Sequence, residues 1–409
     1  MPAYLTEFRR NWRAIVSGVI GVGGGYGIYG YVASLFAPPM LEEFGWSRAE
    51  FALTGALSLT AIVLAPAVGR ITDAIGPRAA AAIGGATVPL CLFAFTLMSG
   101  DIREFMILSV ILTFVGLMTS TIVYARLVAA CFERARGLAL AVLVSGPPLS
   151  GAVLSLAMNQ IIDTHGWRAG YYLLAAIIAV FSLVAVLLFP RAEKVDAKTK
   201  PRRSLKKDYA TFIRRRAFWL IVGGMALVNV PQALQNTQMT LVLMENGATS
   251  YLAGLMVSLY AAGVLVGRFI CGCALDRLPP HMVSAAVLCI PAIGLFILAS
   301  PTVDPLMLGL AVLLMGMSQG GEGDIASYMV AQHFDMDLFS SISGLVISSI
   351  AIGSSMGSLL LGLVLSQTES YQAFLLPSAV AVLVGSTMYL LLGRQPPVVM
   401  PAALAAPAA

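Results

Sequence analysis

Residues 69–78 read GRITDAIGPR, a charged stretch between two apolar runs, and residues 272–277 read GCALDR between two later apolar runs. The glycine and the aspartate of the first stretch return in the second with the same spacing. An internal echo of this kind indicates that the chain contains two related halves. Both stretches lie between strongly apolar runs. The composition of the whole chain therefore indicates which class of protein contains them.

The composition is that of a protein surrounded by lipid. Of 409 residues, 58% are hydrophobic and only 11% are charged, and the mean hydropathy is +0.87. A soluble domain is about one quarter charged, because its surface faces water. These values exclude an ordinary soluble fold and indicate a polytopic membrane protein.

Twelve apolar runs are long enough to cross a bilayer, which takes about 20 residues of helix. They are predicted at residues 12–38, 50–70, 79–99, 105–126, 138–161, 168–190, 217–243, 250–274, 282–300, 305–331, 341–365 and 372–393. With the internal echo, this pattern predicts an all-α membrane protein with twelve transmembrane helices in two parallel six-helix repeats. The expected parts are an N-terminal bundle (1–190), a basic linker (191–216), a C-terminal bundle (217–394) and a flexible tail (395–409).

The basic residues predict the orientation. If the N-terminus is cytoplasmic, 21 of the 25 Lys and Arg residues fall on the cytoplasmic side, three fall outside and Arg268 falls inside a helix. By the positive-inside rule, both termini are then cytoplasmic, and the expected location is a bacterial inner membrane. The net charge of +5 comes largely from the linker. We interpret the positive charge of the linker as a signal that orients the chain in the membrane and as a contact with membrane lipid. We expect no nucleic acid partner.

Residues 69–78 resemble the loop motif of the major facilitator superfamily, and residues 272–277 resemble its degenerate second copy. Within that superfamily, residues 43–48 (EFGWSR), 131–139 (CFERARGLA) and 166–168 (GWR) resemble the monocarboxylate and oxalate/formate exchanger branch. The resemblance extends over the chain up to about Arg394. It implies a secondary transporter that works by alternating access, with the substrate site between the two halves.

The loop motif has a physical interpretation of its own. An aspartate beside a helix end, a glycine that permits a tight turn and nearby arginines can latch helix ends in one state and release them in another. The alternative is a turn whose charges only hold it at the interface. The gating candidates are Gly69, Arg70, Asp73, Gly76 and Arg78, with Gly272, Asp276 and Arg277 in the second copy.

Arg268 is the most informative single residue. Eight residues of helix separate it from Asp276, which places it about 12 Å from the interface. An arginine at that depth costs roughly 2.5 to 3.5 kcal/mol and is expected only beside a polar cavity or a counter-charge. The resemblance implies that an arginine four residues before the motif glycine binds the substrate carboxylate, and Arg268 holds that position before Gly272. The alternative is a permanent ion pair between two helices.

Two acidic residues, Glu322 and Asp324, interrupt the apolar run of predicted helix 10. Two residues correspond to about 200° around a helix, so both cannot face the same cavity. One is expected to pair with Arg268 or to carry a coupled proton, and the other to satisfy a structural hydrogen bond; we favour Glu322 for the cavity. A purely structural role for both remains open.

Further candidates for substrate contact follow from helical spacing. Predicted helix 7 has a polar stripe near Pro231, and helix 1 has two tyrosines one turn apart among glycines. For each tyrosine, packing or interface anchoring is the alternative. These candidates are Asn229, Gln232 and Asn236 in the stripe, Tyr26 and Tyr29 in helix 1, and Tyr124 and Tyr260 elsewhere.

The chain also departs from the branch it resembles. Val264 stands where animal monocarboxylate carriers have an aspartate, and no lysine lies within a predicted helix. One fixed cation suits a monoanion better than a dianion. We therefore expect symport of a small organic anion, with a monocarboxylate favoured, and protons as the coupling partner.

Other interpretations remain. Within transport, the alternatives are an anion exchanger and, less favoured, a drug or sugar transporter of the same fold. An enzyme or a receptor is disfavoured, because no cluster of nucleophiles or metal ligands is visible and no loop could form an output domain. No metal and no cofactor is expected, and the chain is expected to be a monomer.

Overall fold

The computed structural model describes residues 2–132, 135–190, 213–300, 304–334 and 339–393. The expected tail (395–409) and most of the expected basic linker (191–216) lie outside these residues, as do Glu133 and Arg134 of the branch-like stretch. A short helix, Pro2–Arg10, precedes the first long helix.

The N-terminal half contains six long helical segments. They are α1 (Trp12–Gly23 and Tyr26–Phe44, bent by 44°), α2 (Arg48–Ile75), α3 (Pro77–Phe95), α4 (Ile102–Cys131), α5 (Arg136–His165) and α6 (Trp167–Leu188).

The C-terminal half contains the other six. They are α7 (Arg216–Val228, the π-helical turn Leu234–Gln238 and Met239–Glu245), α8 (Ser250–Leu275), α9 (Pro280–Leu298), α10 (Pro305–His333), α11 (Phe339–Thr368) and α12 (Gln372–Leu390).

The segments agree with the predicted twelve-helix membrane architecture. Nine helices in the described residues are long and apolar enough to cross a membrane, and the bent α1 makes a tenth. Of the other two segments, α7 is interrupted at Pro231, and α10 is 29 residues long but contains Glu322 and Asp324. The chain is a multi-pass, all-helical membrane protein.

The internal repeat is visible in the packing. In the N-terminal half α1 crosses α5 where Gly23 and Gly146 meet, and a Cβ on Gly146 would lie 3.1 Å from the Gly23 Cα. In the C-terminal half the equivalent pair, α7 and α11, meets where Gly353 abuts the backbone of Ala226. Because lipid tails are as apolar as the side chains, close backbone approach through small residues is a main source of helix association in a membrane.

The closest backbone approach that bears on function joins α8 and α10. Cβ atoms built on Gly316 and Gly320 would overlap the carbonyl oxygens of Tyr260 and Val264. A side chain at Gly320 would also come within 2.8 Å of the backbone nitrogen of Arg268. The glycines of α10 therefore fix the position of α8, and with it the position of Arg268.

The two halves touch at one end of the bundle, which we call the closed end. There Ser250 of α8 hydrogen-bonds to Asn159 and Asp163 of α5, and Arg48 of α2 forms an ion pair with Glu245 of α7. In the described residues, the hydrogen bonds and ion pairs between the halves lie at this end or midway along the bundle. The opposite end carries the α2–α3 and α8–α9 loops, and we call it the motif end.

The glycine contact between α8 and α10 predicts a position-specific loss of stability. Gly320→Ala should lower the free energy of unfolding by about 1 to 3 kcal/mol, because the new methyl group meets backbone atoms that cannot rotate away. Thermal unfolding of the purified protein in detergent measures the effect. The matched control is Gly323→Ala in the same helix, where a Cβ meets nothing within 4 Å. Equal stability of the two variants would contradict the assigned helix contact.

Candidate functional site

Arg268 lies in α8 with its guanidinium incompletely satisfied by protein. Its side chain is 17% exposed, and its closest acidic partner is Asp324, with Nη1 and Oδ1 3.9 Å apart. That separation is an ion pair but is too long for a hydrogen bond. The Nε atom is buried and has no hydrogen-bond partner in the described residues. The arginine can therefore still donate to a bound group.

The two acidic residues of α10 occupy different environments. Asp324 is 39% exposed and lies beside Arg268. Glu322 is buried on the other side of the helix and accepts a hydrogen bond from Asn229 Nδ2 at 2.7 Å. The sequence favoured Glu322 for the cavity, and the structure instead places Asp324 next to the arginine.

The polar residues predicted to form one stripe on α7 have separate hydrogen-bond partners. Asn229 is committed to Glu322 and to the Met225 carbonyl, at 2.7 and 2.9 Å. Further along, Gln232 Nε2 donates to Asn236 Oδ1 at 3.4 Å. The stripe therefore does not face one cavity, because the π-helical turn after Pro231 rotates the residues that follow it.

A cavity of about 240 Å³ lies between α1, α2, α4, α6 and α7; we call it the aromatic cavity. Most of its wall comes from the N-terminal half, and α7 closes one side with Asn236 and Thr237. Its lining residues are Tyr26, Tyr29, Gly30, Ala33, Phe36, Met40, Phe51, Thr54, Gly55, Leu57, Ser58, Phe105, Ser109, Leu112, Thr113, Tyr171, Asn236 and Thr237. Tyr26, Tyr29 and Asn236 are thus the sequence candidates that this cavity brings together.

The other two tyrosine candidates lie elsewhere. Tyr124 is fully buried within the N-terminal half, against Gly21 and with its ring 5.8 Å from Phe189, so it does not line the aromatic cavity. Tyr260 is buried in α8 and donates to Gln235 Oε1 at 2.9 Å. Its ring lies 6.3 Å from that of Tyr31, across the boundary between the halves.

Tyr31 and Gln235 were not predicted from the sequence. Gln235 directly precedes the candidate Asn236, and Tyr31 follows Gly30, a glycine that lines the aromatic cavity. The signal that could have indicated Gln235 is its place in the polar run after Pro231, three residues after Gln232.

The first copy of the loop motif forms one ion pair, between Asp73 and Arg126 of α4. Arg70 is exposed, and Arg78 lies half-buried near Arg13 at the base of α1. Gly76 has a φ of 89°, which favours glycine, so the tight turn has a backbone reason. Gly69 lies at the same crossing, with Arg126 as its nearest side chain.

The second copy forms no side-chain ion pair in the described residues. Asp276 and Arg277 are exposed at the end of α8, and a Cβ on Gly272 would meet nothing within 4 Å. In the part of the chain that the structure describes, neither copy forms an ion pair between the two halves. The predicted gating role concerns the opposite conformation and stays a prediction.

At the closed end, charge pairs and hydrogen bonds connect the loops. Glu43 accepts from Arg168 at 2.6 Å and from the Trp167 indole at 2.7 Å, within the N-terminal half. Within the C-terminal half, Glu245 accepts from the Tyr371 backbone nitrogen at 3.1 Å, and between the halves it pairs with Arg48. The branch-like stretches 43–48 and 166–168 thus meet at this end.

These features define a membrane transporter made of two related six-helix bundles, with a partly exposed charged pair in the C-terminal bundle. The sequence model of the Major Facilitator Superfamily matches residues 17–336 and 231–407. The chain belongs to this family, and it is not an enzyme.

Relatives and solved structures agree with this assignment. The chain is 26% identical to monocarboxylate transporter 11 of Homo sapiens over 382 residues, which cover 90% of this chain and 80% of the relative. It superposes on the nucleoside transporter NupG with a TM-score of 0.73 at 14% identity, covering 93% of this chain and 98% of that one. A bacterial homologue of the human lysosomal transporter Spinster, solved in an inward-facing, unoccupied conformation, gives a TM-score of 0.71 at 14% identity, covering 93% and 96%.

The buried Asn229–Glu322 pair predicts a measurable stability effect. Asn229→Leu leaves Glu322 buried without its hydrogen bond and should lower the free energy of unfolding by about 1 to 3 kcal/mol. Thermal unfolding measures the change, and the double variant Asn229→Leu/Glu322→Leu should recover most of it. Gln232→Leu is the control, because that amide is only half-buried and its hydrogen bond is 3.4 Å long. A loss as large in the control would show that Glu322 is not the cause.

Proposed function

We propose that the chain is a secondary transporter of a small organic anion, with a monocarboxylate as the favoured cargo, and that it works by alternating access with proton symport. Arg268 binds the carboxylate. The observation that carries this proposal is the guanidinium itself: among the described residues, its buried Nε has no hydrogen-bond partner, and its ion pair with Asp324 is 3.9 Å long. A planar guanidinium fork pairs with a carboxylate through two parallel hydrogen bonds and stays charged at any physiological pH.

Asp324 supports the coupling to protons. When its carboxylate is ionised, Asp324 and Arg268 together are neutral, and an incoming anion competes with Asp324 for the guanidinium. When Asp324 is protonated, the pair carries one positive charge and the arginine is free to bind one carboxylate. The loaded site is then neutral, so the transporter moves one proton with each monoanion and avoids carrying a net charge through a low-dielectric region.

The location of the contacts between the halves supports an inward-facing site. The polar contacts between the halves in the described residues lie at the closed end or midway along the bundle, and not at the motif end. The motif end carries most of the basic residues, and the positive-inside rule assigns it to the cytoplasm of a bacterial inner membrane, together with both termini. The site then faces inward in this conformation. Return to the outward state requires the loss of Arg48–Glu245 and of the Ser250 contacts, and gain of contacts between the motif loops.

Two alternatives rest on specific observations. An anion exchanger of the oxalate/formate type would use the same arginine but would not need Asp324 to change protonation state. A drug, sugar or nucleoside carrier would rely on the aromatic cavity, which contains no charged side chain. The likeness to NupG is a likeness of fold and does not choose among these cargoes.

Removing the guanidinium tests the anion assignment. Arg268→Ala should reduce uptake of radiolabelled monocarboxylates into proteoliposomes at least a hundredfold, because nothing else in the described site is positively charged. Arg103→Ala is the control, since Arg103 is exposed at the closed end and distant from the site. Both variants should insert and elute normally. Uptake that survives in Arg268→Ala would remove the anion assignment.

Neutralising the acidic residues tests the proton role. Asp324→Asn should abolish uptake driven by a pH gradient but retain exchange of labelled for unlabelled acid, since exchange needs no deprotonation of the empty carrier. Glu322→Gln should keep its pH dependence, because Glu322 is buried against Asn229 and apart from Arg268. The readouts are gradient-driven uptake and counterflow, each from pH 5 to 8. An unchanged pH dependence in both variants would defeat proton symport and favour the exchanger.

A further inference from the structure

Another cavity lies at the motif end of the N-terminal half, where α1, α3 and α6 meet, and we call it the basic cavity. Its volume is about 370 Å³. Arg13 lies in the first turn of α1, Arg78 lies in the first turn of α3, and the end of α6 supplies the rest of the wall. The lining residues are Arg13, Arg78, Leu187, Phe189 and Pro190. Two of the three helices therefore place a positive charge in the same cavity.

The acidic side chains that the structure describes do not balance the charges of the basic cavity. Within the described ranges, Arg13 and Arg78 form no ion pair. The acidic residues nearest to them in sequence have other partners: Glu7 accepts a hydrogen bond at 2.8 Å from the backbone just before α5, and Asp73 pairs with Arg126. Like charges in one cavity repel each other. An anion bound between the two guanidinium groups would replace this repulsion with two attractive contacts.

The remaining wall of the basic cavity belongs to the apolar outer surface of α6. Leu187 is 62% exposed and continues a stripe of exposed apolar residues that includes Leu183 and Val180, one and two turns earlier. In a membrane protein such a stripe contacts lipid. Trp12, next to Arg13, is 50% exposed, and tryptophan is enriched at the level of the lipid headgroups. The basic cavity therefore lies where headgroups meet acyl chains.

A phosphate ester is the anion that suits this site best. A guanidinium group pairs with phosphate oxygen atoms through two parallel hydrogen bonds, and two such groups can hold one phosphate from two sides. Basic pockets between membrane helices recognise anionic lipid headgroups in this way. A soluble phosphate would use the two arginines and leave the apolar wall without a contact, whereas a phospholipid would use both.

We propose that the basic cavity binds an anionic phospholipid, with the headgroup phosphate at Arg13 and Arg78 and an acyl chain along the apolar stripe of α6. A zwitterionic lipid offers the same chains but adds a positive charge that the arginines repel. The cavity therefore prefers lipids with a net negative charge. Because Arg268 lies in the other half of the protein, the lipid site and the proposed cargo site can be tested independently.

Lipid binding by the purified full chain tests the proposal. Delipidated protein in a neutral detergent is titrated with phosphatidylglycerol, with phosphatidylcholine of the same chain length and with inorganic phosphate. Native mass spectrometry counts the bound lipids, and the rise in unfolding temperature with lipid concentration gives an apparent Kd. Phosphatidylglycerol should bind at least about tenfold more tightly than phosphatidylcholine. Inorganic phosphate at the same concentration should leave the unfolding temperature unchanged.

Removal of both charges should weaken the binding of phosphatidylglycerol. Arg13→Ala/Arg78→Ala should raise its apparent Kd about thirtyfold, which corresponds to about 2 kcal/mol for two basic groups at a membrane surface. The matched control is Arg214→Ala/Arg277→Ala, which removes two exposed arginines from the motif end outside the cavity. The control pair should leave the apparent Kd unchanged.

Equal binding of the two lipids by native protein, an unchanged Kd in Arg13→Ala/Arg78→Ala, or an equal loss in the control pair overturns the proposal. Inorganic phosphate that binds as tightly as phosphatidylglycerol would indicate a site for soluble phosphate and overturns the lipid assignment. If the alanine pair fails to fold, Arg13→Gln replaces it, because Arg13 is exposed. That single variant should raise the apparent Kd about fivefold, and an unchanged Kd overturns the proposal in the same way.

Discussion

A guanidinium enclosed by membrane helices determines which groups can lie next to it. In a region of low dielectric constant, a permanent charge must be met by an opposite charge, by hydrogen-bonding groups or by water. In the described residues Arg268 is met only in part: Asp324 is 3.9 Å away and Nε has no hydrogen-bond partner. Under the proposed function, a bound anion would supply the missing charge and hydrogen-bond acceptors.

The glycines of α10 explain how this incomplete pair is held. Gly316 and Gly320 let α10 touch the backbone of α8, and Asp324 follows on the same stripe of the helix at four-residue spacing. Tyr260, Val264 and Arg268 form the corresponding stripe on α8. The Arg268–Asp324 ion pair therefore lies on the same two helix faces as the backbone contact between α8 and α10. Because that contact is rigid, the separation of the two charged groups is set by helix packing, and α8 and α10 must move as one body when the halves rock.

The sequence predicted the membrane class, the twelve segments and the internal repeat, because hydropathy is a local property. Whether Glu322 or Asp324 lies next to Arg268 depends on which face of α10 meets α8. The helical spacing predicts only that the two side chains lie on different faces of α10. The glycine stripe was the missing signal: it assigns Asp324 to α8 and Glu322 to α7. Arg126, the partner of Asp73, was missed because that pair joins residues distant in sequence. The π-helical turn in α7 depends on backbone groups freed at Pro231, which composition does not reveal.

The position of the site between the halves gives alternating access a physical basis. Arg268 and Asp324 belong to one rigid pair of helices in the C-terminal half, whereas most of the aromatic cavity belongs to the N-terminal half. Tyr31 and Tyr260 face each other where these two surfaces meet. A cargo that contacts both surfaces favours conformations in which they are close together, and a cargo that contacts only one has no such preference. Since a ligand shifts a conformational equilibrium only by its difference in affinity for the two states, a cargo must contact both surfaces in order to favour the conformation that brings them together.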